Sequence, residues 1–263
     1  MKRVLLIGGS DTCAGAGIQA DLKAVTALGV YGTTTITALT AQNTRGVQDI
    51  YPVPPAFVAR QIDSIMQDIG TDALKTGMLL NKDIVKVVAD KIKEYKIDKV
   101  VIDPVILAKG GYPLLNEEAL EVLKSELFPL ASLVTPNIPE AERLTGISIR
   151  GIPDRWEAVR RLHAMGAKNV LIKGGHAHFT GEEVEDVFYD GRELTTFSAR
   201  RIPGVDVHGS GCVLASSISA GLAKGYSLLE AIRTAREFLL KAMHRPLRIG
   251  KGHEVIDPKE NYI

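Results

Sequence analysis

The sequence predicts an α/β fold with a mainly parallel central sheet covered by helices on both faces. Two observations carry this. Short β-branched runs alternate along the chain with amphipathic stretches whose apolar residues recur every three or four positions. With 263 residues and 45% hydrophobic content, the chain is also long and apolar enough to fill a substantial core.

Taken in order, a first strand at "RVLLIG" leads to a helix at "IQADLKAVTALG", which Gly29 stops. Strands follow at "YGTTTITAL" and "VQDIYPV", then a helix at "PAFVARQIDSIMQDI". The alternation continues with strand "DALKTGM", helix "KDIVKVVADKIKEYK", strand "DKVVIDPV", helix "NEEALEVLKSEL" and strand "SLVTPN". Helix "RWEAVRRLHAMG", stopped by Gly166, precedes strand "NVLIKGG". Asp190-Gly191 at the middle of "VEDVFYDGRELTTFS" is a hairpin signal that breaks the parallel pattern locally. Two helices close the pattern, "CVLASSISAGLAKG" and "LLEAIRTAREFLLKAM", and the first is apolar almost all round, so it should be buried. With no internal repeat, low-complexity tract or linker, residues 1–263 are expected to form a single domain.

Charge and cysteine usage exclude several function classes. Thirty-two basic against 31 acidic residues give a formal charge of +1, which offers neither a nucleic acid nor a membrane an attractive surface. Any phosphate must be held locally. Two cysteines, Cys13 and Cys212, cannot form a metal cluster or a disulfide scaffold and suit a reducing compartment, so a cytoplasmic protein is expected. The run "VLLIG" is too short for a signal-peptide core, and no run reaches the ~18 residues of a membrane helix.

The glycines invite a search for nucleotide sites. Gly15-Ala-Gly17-Ile-Gln-Ala20 approaches the dinucleotide fingerprint, but it lies well past the Gly-Gly that ends the strand. The second strand also lacks the acid that holds a ribose, which argues against a dehydrogenase. No Walker A pattern occurs. "HGSGC" supplies another device: Gly209, Ser210 and Gly211 expose successive backbone N–H groups at a helix start, where the dipole favours an anion. The same partial charge is expected to lower the thiol pKa of Cys212, making it a candidate base. A small buried hydrophobe after a turn is the competing reading, and this motif alone does not separate the two.

Other polar residues gather at strand ends. Asp21 sits on the first helix, and Gln42 lies just past the second strand. Asp103 ends the strand of "VIDPVILAKGG", with Lys109 in the loop behind it. Asn137 and Glu140 of "TPNIPEAERL" occupy the next strand-to-helix turn, where N-x-x-E is also an ordinary helix cap. Lys173 of "IKGGH" ends a third strand. Acid, amide and lysine at several strand ends, together with an anion hole, are the parts of a phosphotransfer site.

These stretches, with "GAGIQADLKAVTALGVYGTTTITALTAQNT", "KTGML", "DPVILAKGG" and "HGSGCVLAS", resemble the ribokinase-like superfamily. Within it they resemble the hydroxymethylpyrimidine/phosphomethylpyrimidine kinases of thiamine biosynthesis. The resemblance covers most of the chain, although the glycine loop reads "SDTCAGAG" where members read more like "SDPSGGAG". It implies a three-layer α/β/α sandwich, homodimeric, that uses ATP and Mg²⁺. The reaction implied is phosphorylation of 4-amino-5-hydroxymethyl-2-methylpyrimidine and then of its monophosphate. By the same resemblance Asp21 and Gln42 hold the aminopyrimidine between Met78 and Val105, and Cys212 is the base. Gly209, Ser210 and Gly211 stabilise the transferred phosphoryl group, Lys173, Asn137 and Lys109 serve the nucleotide, and Asp103 and Glu140 serve the metal. Two alternatives stand beside this reading: a pyridoxal or pyridoxine kinase, and a catalytically weak pyrimidine-binding protein on the same fold. Gln42 favours the aminopyrimidine, because an amide matches the edge formed by a ring nitrogen and its exocyclic amine.

Overall fold

The computed structural model describes residues 1–108, 111–175, 182–205 and 207–258. The first half runs β1 (Arg3–Asp11), α1 (Gly17–Ala27), β2 (Tyr31–Asn43), β3 (Gly46–Pro52), α2 (Pro55–Asp68), β4 (Ala73–Thr76), α3 (Lys82–Glu94) and β5 (Val100–Ile102). It continues with α4 (Glu117–Val122), β6 (Leu133–Val134), α5 (Ile138–Thr145), α6 (Ile152–Ala164) and β7 (Val170–Ile172). The hairpin β8 (Glu183–Tyr189) and β9 (Leu194–Arg200) precedes β10 (Val207–His208), α7 (Ser210–Lys224), α8 (Leu228–Met243) and β11 (Glu254–Val255).

The main sheet has the order β3-β2-β1-β4-β5-β6-β7-β8-β9. From β2 to β7 its pairs are parallel, whereas the pairs β3–β2, β7–β8 and β8–β9 toward the two edges are antiparallel. The period-2 geometry of the central strands explains why they are apolar throughout. Leu5 and Ile7 of β1 face a core completed by α2 to α6, while Val4 and Leu6 face α1, α7 and α8. Strands β5 and β7 repeat the division, with Val100, Ile102, Val170 and Ile172 on the first side and Val101 and Leu171 on the second. The result is the three-layer α/β/α sandwich expected from the alternation.

Local signals behave as their chemistry predicts. Gly29 and Gly166 adopt φ of +70° and +107° just beyond α1 and α6, and Asn81, Asn116 and Ser227 cap α3, α4 and α8. Helix α7 is buried from Val213 to Ala223. The stretch read as one helix at residues 116–127 is α4 followed by a π turn at Leu123–Leu127, which ends against Pro129.

Strand order reverses around β1, which lies between β2 and β4, so the carboxyl ends of β1 and β4 open a crevice at a topological switch point. The C-terminal stretch closes one side of it. Strand β11 pairs in parallel with β10, matching Val207 to Glu254 and His208 to Val255. Ahead of it, Gly252 N donates to Thr44 Oγ1 (3.1 Å) and His253 N to the Thr44 carbonyl (2.8 Å). A Cβ on Gly250 or Gly252 would collide with Thr44, so these glycines permit the close approach.

Candidate active site

A cavity of about 500 Å³ opens at the carboxyl edge, where β1, β4, β5 and β7 end and α1 and α7 begin. The two glycine motifs meet there. Gly209, at φ +91°, caps α7 and lies so close to Gly15 that a Cβ would collide with the Gly15 carbonyl. Gly17, at φ +59°, packs equally tightly on the Gly9 carbonyl.

Asp11 organises the loop between them. Its Oδ2 accepts from the backbone N–H groups of Gly15 (3.1 Å) and Ala16 (2.8 Å), and its Oδ1 from that of Cys13 (3.0 Å). His208 Nε2 lies 3.2 Å from the same Oδ2. Burial opposes the charge, but the bonds from His208, Ala16 and Cys13 outweigh it and hold Asp11 below the usual carboxylate range. Thr12 ties this loop to β2: its hydroxyl donates to the Gln42 carbonyl (2.6 Å), and Gln42 N donates back to the hydroxyl (2.8 Å). The Gln42 side chain lines the cavity with its Nε2 2.9 Å from His208 Nε2. Met78 and Val105 also line it, in one apolar cluster with Ala38 and Leu114.

Asp21 touches the cavity but is fully buried, with both oxygens on Lys75 Nζ (2.8 and 3.0 Å) and Ser216 Oγ donating to Oδ1 (2.5 Å). Lys75 is equally buried, on the face of β4 that meets α1 and α7. Burial works against its ammonium, but Asp21, Cys212 and Asp103 outweigh that and raise its pKa. The carboxylate expected to hold a ring is thus committed to a lysine.

Cys212 stands in the first turn of α7, as the glycine pattern implies. The expected lowering of its pKa is overturned. Burial pushes the thiol up to about 12, the Lys75 ammonium and the Gly17 N–H work against this, and the Asp21 and Asp103 carboxylates add to it.

Lys173, just past β7, donates to Asp103 Oδ1 (2.6 Å), which also accepts from Thr135 Oγ1 (3.2 Å). Both face the start of α7, since a Cβ on Gly211 would lie 3.1 Å from Lys173 Nζ and 3.6 Å from Asp103 Oδ2. Asn137 and Glu140 form a reciprocal capping box on α5, with Glu140 N donating to Asn137 Oδ1 and Asn137 N to Glu140 Oε2, both at 2.8 Å. The cap and the site coincide, for both side chains line the cavity. Burial pushes Glu140 up to about 7, with Lys173 opposing and Asp103 reinforcing the rise. Lys109 lies outside the described residues.

A second cavity, about 160 Å³, opens between the β8–β9 hairpin and α7 and α8, lined by Val184, Val205, Leu239 and Met243. Lys173, Val207, Ser210 and Gly211 line both cavities and lie at the boundary between them. Four contributors escaped the sequence reading. Lys75 was signalled, since a lysine inside an apolar strand must find a partner. Asp11, just before a glycine-rich turn, was also legible as a loop acceptor. His208 and His253 line the cavity because β10 and β11 pair, which no local pattern announces.

Comparison with known proteins decides the family. Residues 11–257 match the family model described as phosphomethylpyrimidine kinase. The chain belongs to this family. It is 45% identical over 256 residues to the hydroxymethylpyrimidine/phosphomethylpyrimidine kinase of Haemophilus influenzae, covering 96% of this chain and 95% of that one. It is 52% identical over 250 residues to the thiamine biosynthesis bifunctional protein ThiED of Geobacter sulfurreducens. That match covers 95% of this chain, which spans about half (51%) of the bifunctional protein's length. Among solved structures, an ADP complex of Bacillus subtilis pyridoxal kinase superposes with a TM-score of 0.91 at 37% identity, covering 98% of this chain and 97% of that one. The protein is a kinase with a ribokinase-like fold. Among the described residues, no helix is long and apolar enough to cross a membrane.

Proposed function

We propose that this phosphomethylpyrimidine kinase family member transfers the γ-phosphoryl group of ATP to 4-amino-5-hydroxymethyl-2-methylpyrimidine, and then phosphorylates the monophosphate to the diphosphate used in thiamine assembly. The observation that carries the reading is the wall of Lys173, Ser210 and Gly211 shared by two cavities. A group passing from one ligand to another must pass this shared boundary, which brings backbone N–H donors at a helix start and the Lys173 ammonium together beside Val207. Both stabilise negative charge as it spreads over a transferring phosphoryl group.

In this reading the larger cavity takes the ring. The Gln42 amide donates to a ring nitrogen and accepts from the exocyclic amine, with Met78 and Val105 as apolar walls. Leaving either ring group unpaired would cost ~1–3 kcal/mol. The smaller cavity takes the nucleotide, whose phosphates reach Lys173 and the Asn137 turn. Asp103 and Glu140 fit Mg²⁺, because two buried carboxylates, one of them raised to about 7 by burial and by the other's charge, form a donor set that a hard dication would neutralise. Bound there, Mg²⁺ would supply charge neutralisation on the phosphates. Because its thiol rests protonated, Cys212 first loses that proton to solvent, and the resulting thiolate accepts the hydroxyl proton. Lys75 is the cation that lowers the cost of that step, and Lys109 serves the incoming monophosphate.

The reading also includes a cytoplasmic homodimer. The apolar pair Leu39 and Tyr51, exposed by 47% and 68% on β2 and the edge strand β3 paired with it, offers a face for a second copy. Phosphorylation of pyridoxal is the second reading, favoured by the likeness to pyridoxal kinases. Phosphorus NMR of protein with ATP, Mg²⁺ and hydroxymethylpyrimidine, repeated with pyridoxal, tests both. Successive mono- and diphosphate resonances are expected with the pyrimidine. ATP consumption only with pyridoxal would overturn the pyrimidine assignment.

A further inference from the structure

We propose that Asp11, Cys13 and His208 form a binding site for one thiophilic divalent cation of the zinc class at the lip of the larger cavity, and that its occupancy opposes binding of the ring. One ligand atom from each residue lies within 4.8 Å of the others. His208 Nε2 is 3.2 Å and Cys13 Sγ 3.4 Å from Asp11 Oδ2. Tetrahedral zinc with bonds of ~2.0–2.3 Å sets its ligand atoms roughly 3.3–3.6 Å apart, so these edges need little adjustment. A cysteine, a histidine and a carboxylate together differ from the cysteine clusters that the sequence excludes.

The supports are already in place. Asp11 is held by the N–H groups of Cys13, Gly15 and Ala16, which remain as outer partners when a metal binds. His208 is held by the pairing of β10 with β11. Without metal, the imidazole N–H and the thiol S–H converge on Asp11 Oδ2. On binding, the thiol proton leaves to solvent, the imidazole proton moves by way of solvent from Nε2 to Nδ1, and the freed Nε2 lone pair and the thiolate become ligands. Carboxylate and thiolate then neutralise the dication. Because the thiol must lose its proton to bind, affinity should fall as pH falls. The thiolate and imidazole select a softer ion than the Asp103 and Glu140 pair would take.

Asp11 and His208 both line the cavity, so an ion held by them would sit beside the ring space. Gln42 Nε2 is 2.9 Å from His208 Nε2, and an ion on that nitrogen would draw the amide oxygen toward itself and away from the ring. This consequence rests on the proposed function, whereas the metal site itself does not.

Cobalt(II) is the probe, added to the full chain without nucleotide. One equivalent should produce a thiolate-to-cobalt charge-transfer band, displaced by zinc and by hydroxymethylpyrimidine. Cys13→Ser should remove the band and weaken binding at least ~10-fold, the lower bound for losing even an outer partner. Cys212→Ala should retain it. Cys13→Ser should also keep phosphorylating the pyrimidine while escaping zinc inhibition that is competitive with the ring. No band, or one that survives Cys13→Ser or vanishes with Cys212→Ala, overturns the site and leaves the kinase reading intact. A band indifferent to a pyrimidine that the protein still phosphorylates overturns the antagonism. A Cys13-dependent band in a protein that phosphorylates no pyrimidine supports the site and overturns the kinase reading.

Discussion

Replacing Glu140 by Gln should make the metal-free protein more stable at neutral pH while impairing phosphoryl transfer. The side chain is 4% exposed, and its pKa rises from the ordinary 4.5 to about 7. The folded state therefore keeps this proton to higher pH than the unfolded chain does. Between about 4.5 and 7 stability falls as pH rises, and above 7 the whole penalty is present. At about 1.36 kcal/mol per pH unit, the penalty is about 3 kcal/mol. A glutamine removes the charge and keeps the oxygen that accepts the Asn137 N–H, so the capping box survives. For a chain of this size, ~2–4 °C per kcal/mol converts the gain to roughly 6–12 °C in Tm at pH 8. It should shrink toward zero near pH 4.5. Calorimetric unfolding of both proteins in chelator at the two pH values measures it, alongside turnover with Mg²⁺ and ATP. A variant no more stable at pH 8, or equally stabilised at both pH values, would refute the account of Glu140 as a buried carboxylate awaiting a cation.

Three further outcomes follow from the site. If Cys212 accepts the proton as thiolate, wild-type kcat should climb about tenfold per pH unit from 7 toward 10 without a plateau, and Cys212→Ala should lose that slope; a flat wild-type profile removes Cys212 from proton transfer. Gly209→Ala should cut kcat at least ~10²-fold, the scale for losing one anion-hole donor, because a Cβ there meets the Gly15 carbonyl at an unfavourable φ; near-normal turnover would mean that the helix start does not hold the phosphoryl group. Lys75→Met should destabilise by ~3–5 kcal/mol by stranding Asp21, and adding Asp21→Asn should recover much of that in urea unfolding; additive losses would mean that the two do not act as a pair.

The layers were legible because each central strand carries apolar residues on both faces and each helix on one stripe, and these periods survive any tertiary context. The hairpin, the stop glycines and the buried α7 follow from equally local chemistry. The site was legible only as a set of parts. "HGSGC" signalled an anion hole, but the charge state of Cys212 depends on Asp21, Lys75 and Asp103, which arrive from α1, β4 and the end of β5. Asn137 and Glu140 showed the reverse difficulty: cap and site were weighed as competitors, and one geometry serves both. The segment "GKGHEVIDP" carries no periodic signal, so its position against Thr44 and β10 depends on surfaces that exist only after folding.

That closing segment bears on the order of events in time. Asp11 meets His208 across 197 positions, and Gly252 meets Thr44 across 208. A nascent chain emerging from the ribosome can pair β1 with β2 and pack α1 long before residues 207–255 exist, and non-local contacts are the slow ones in any case. This side of the cavity is thus assembled late, from segments far apart in the sequence. A chain whose sheet formed before residues 207–255 emerged would carry an active site still open on one side.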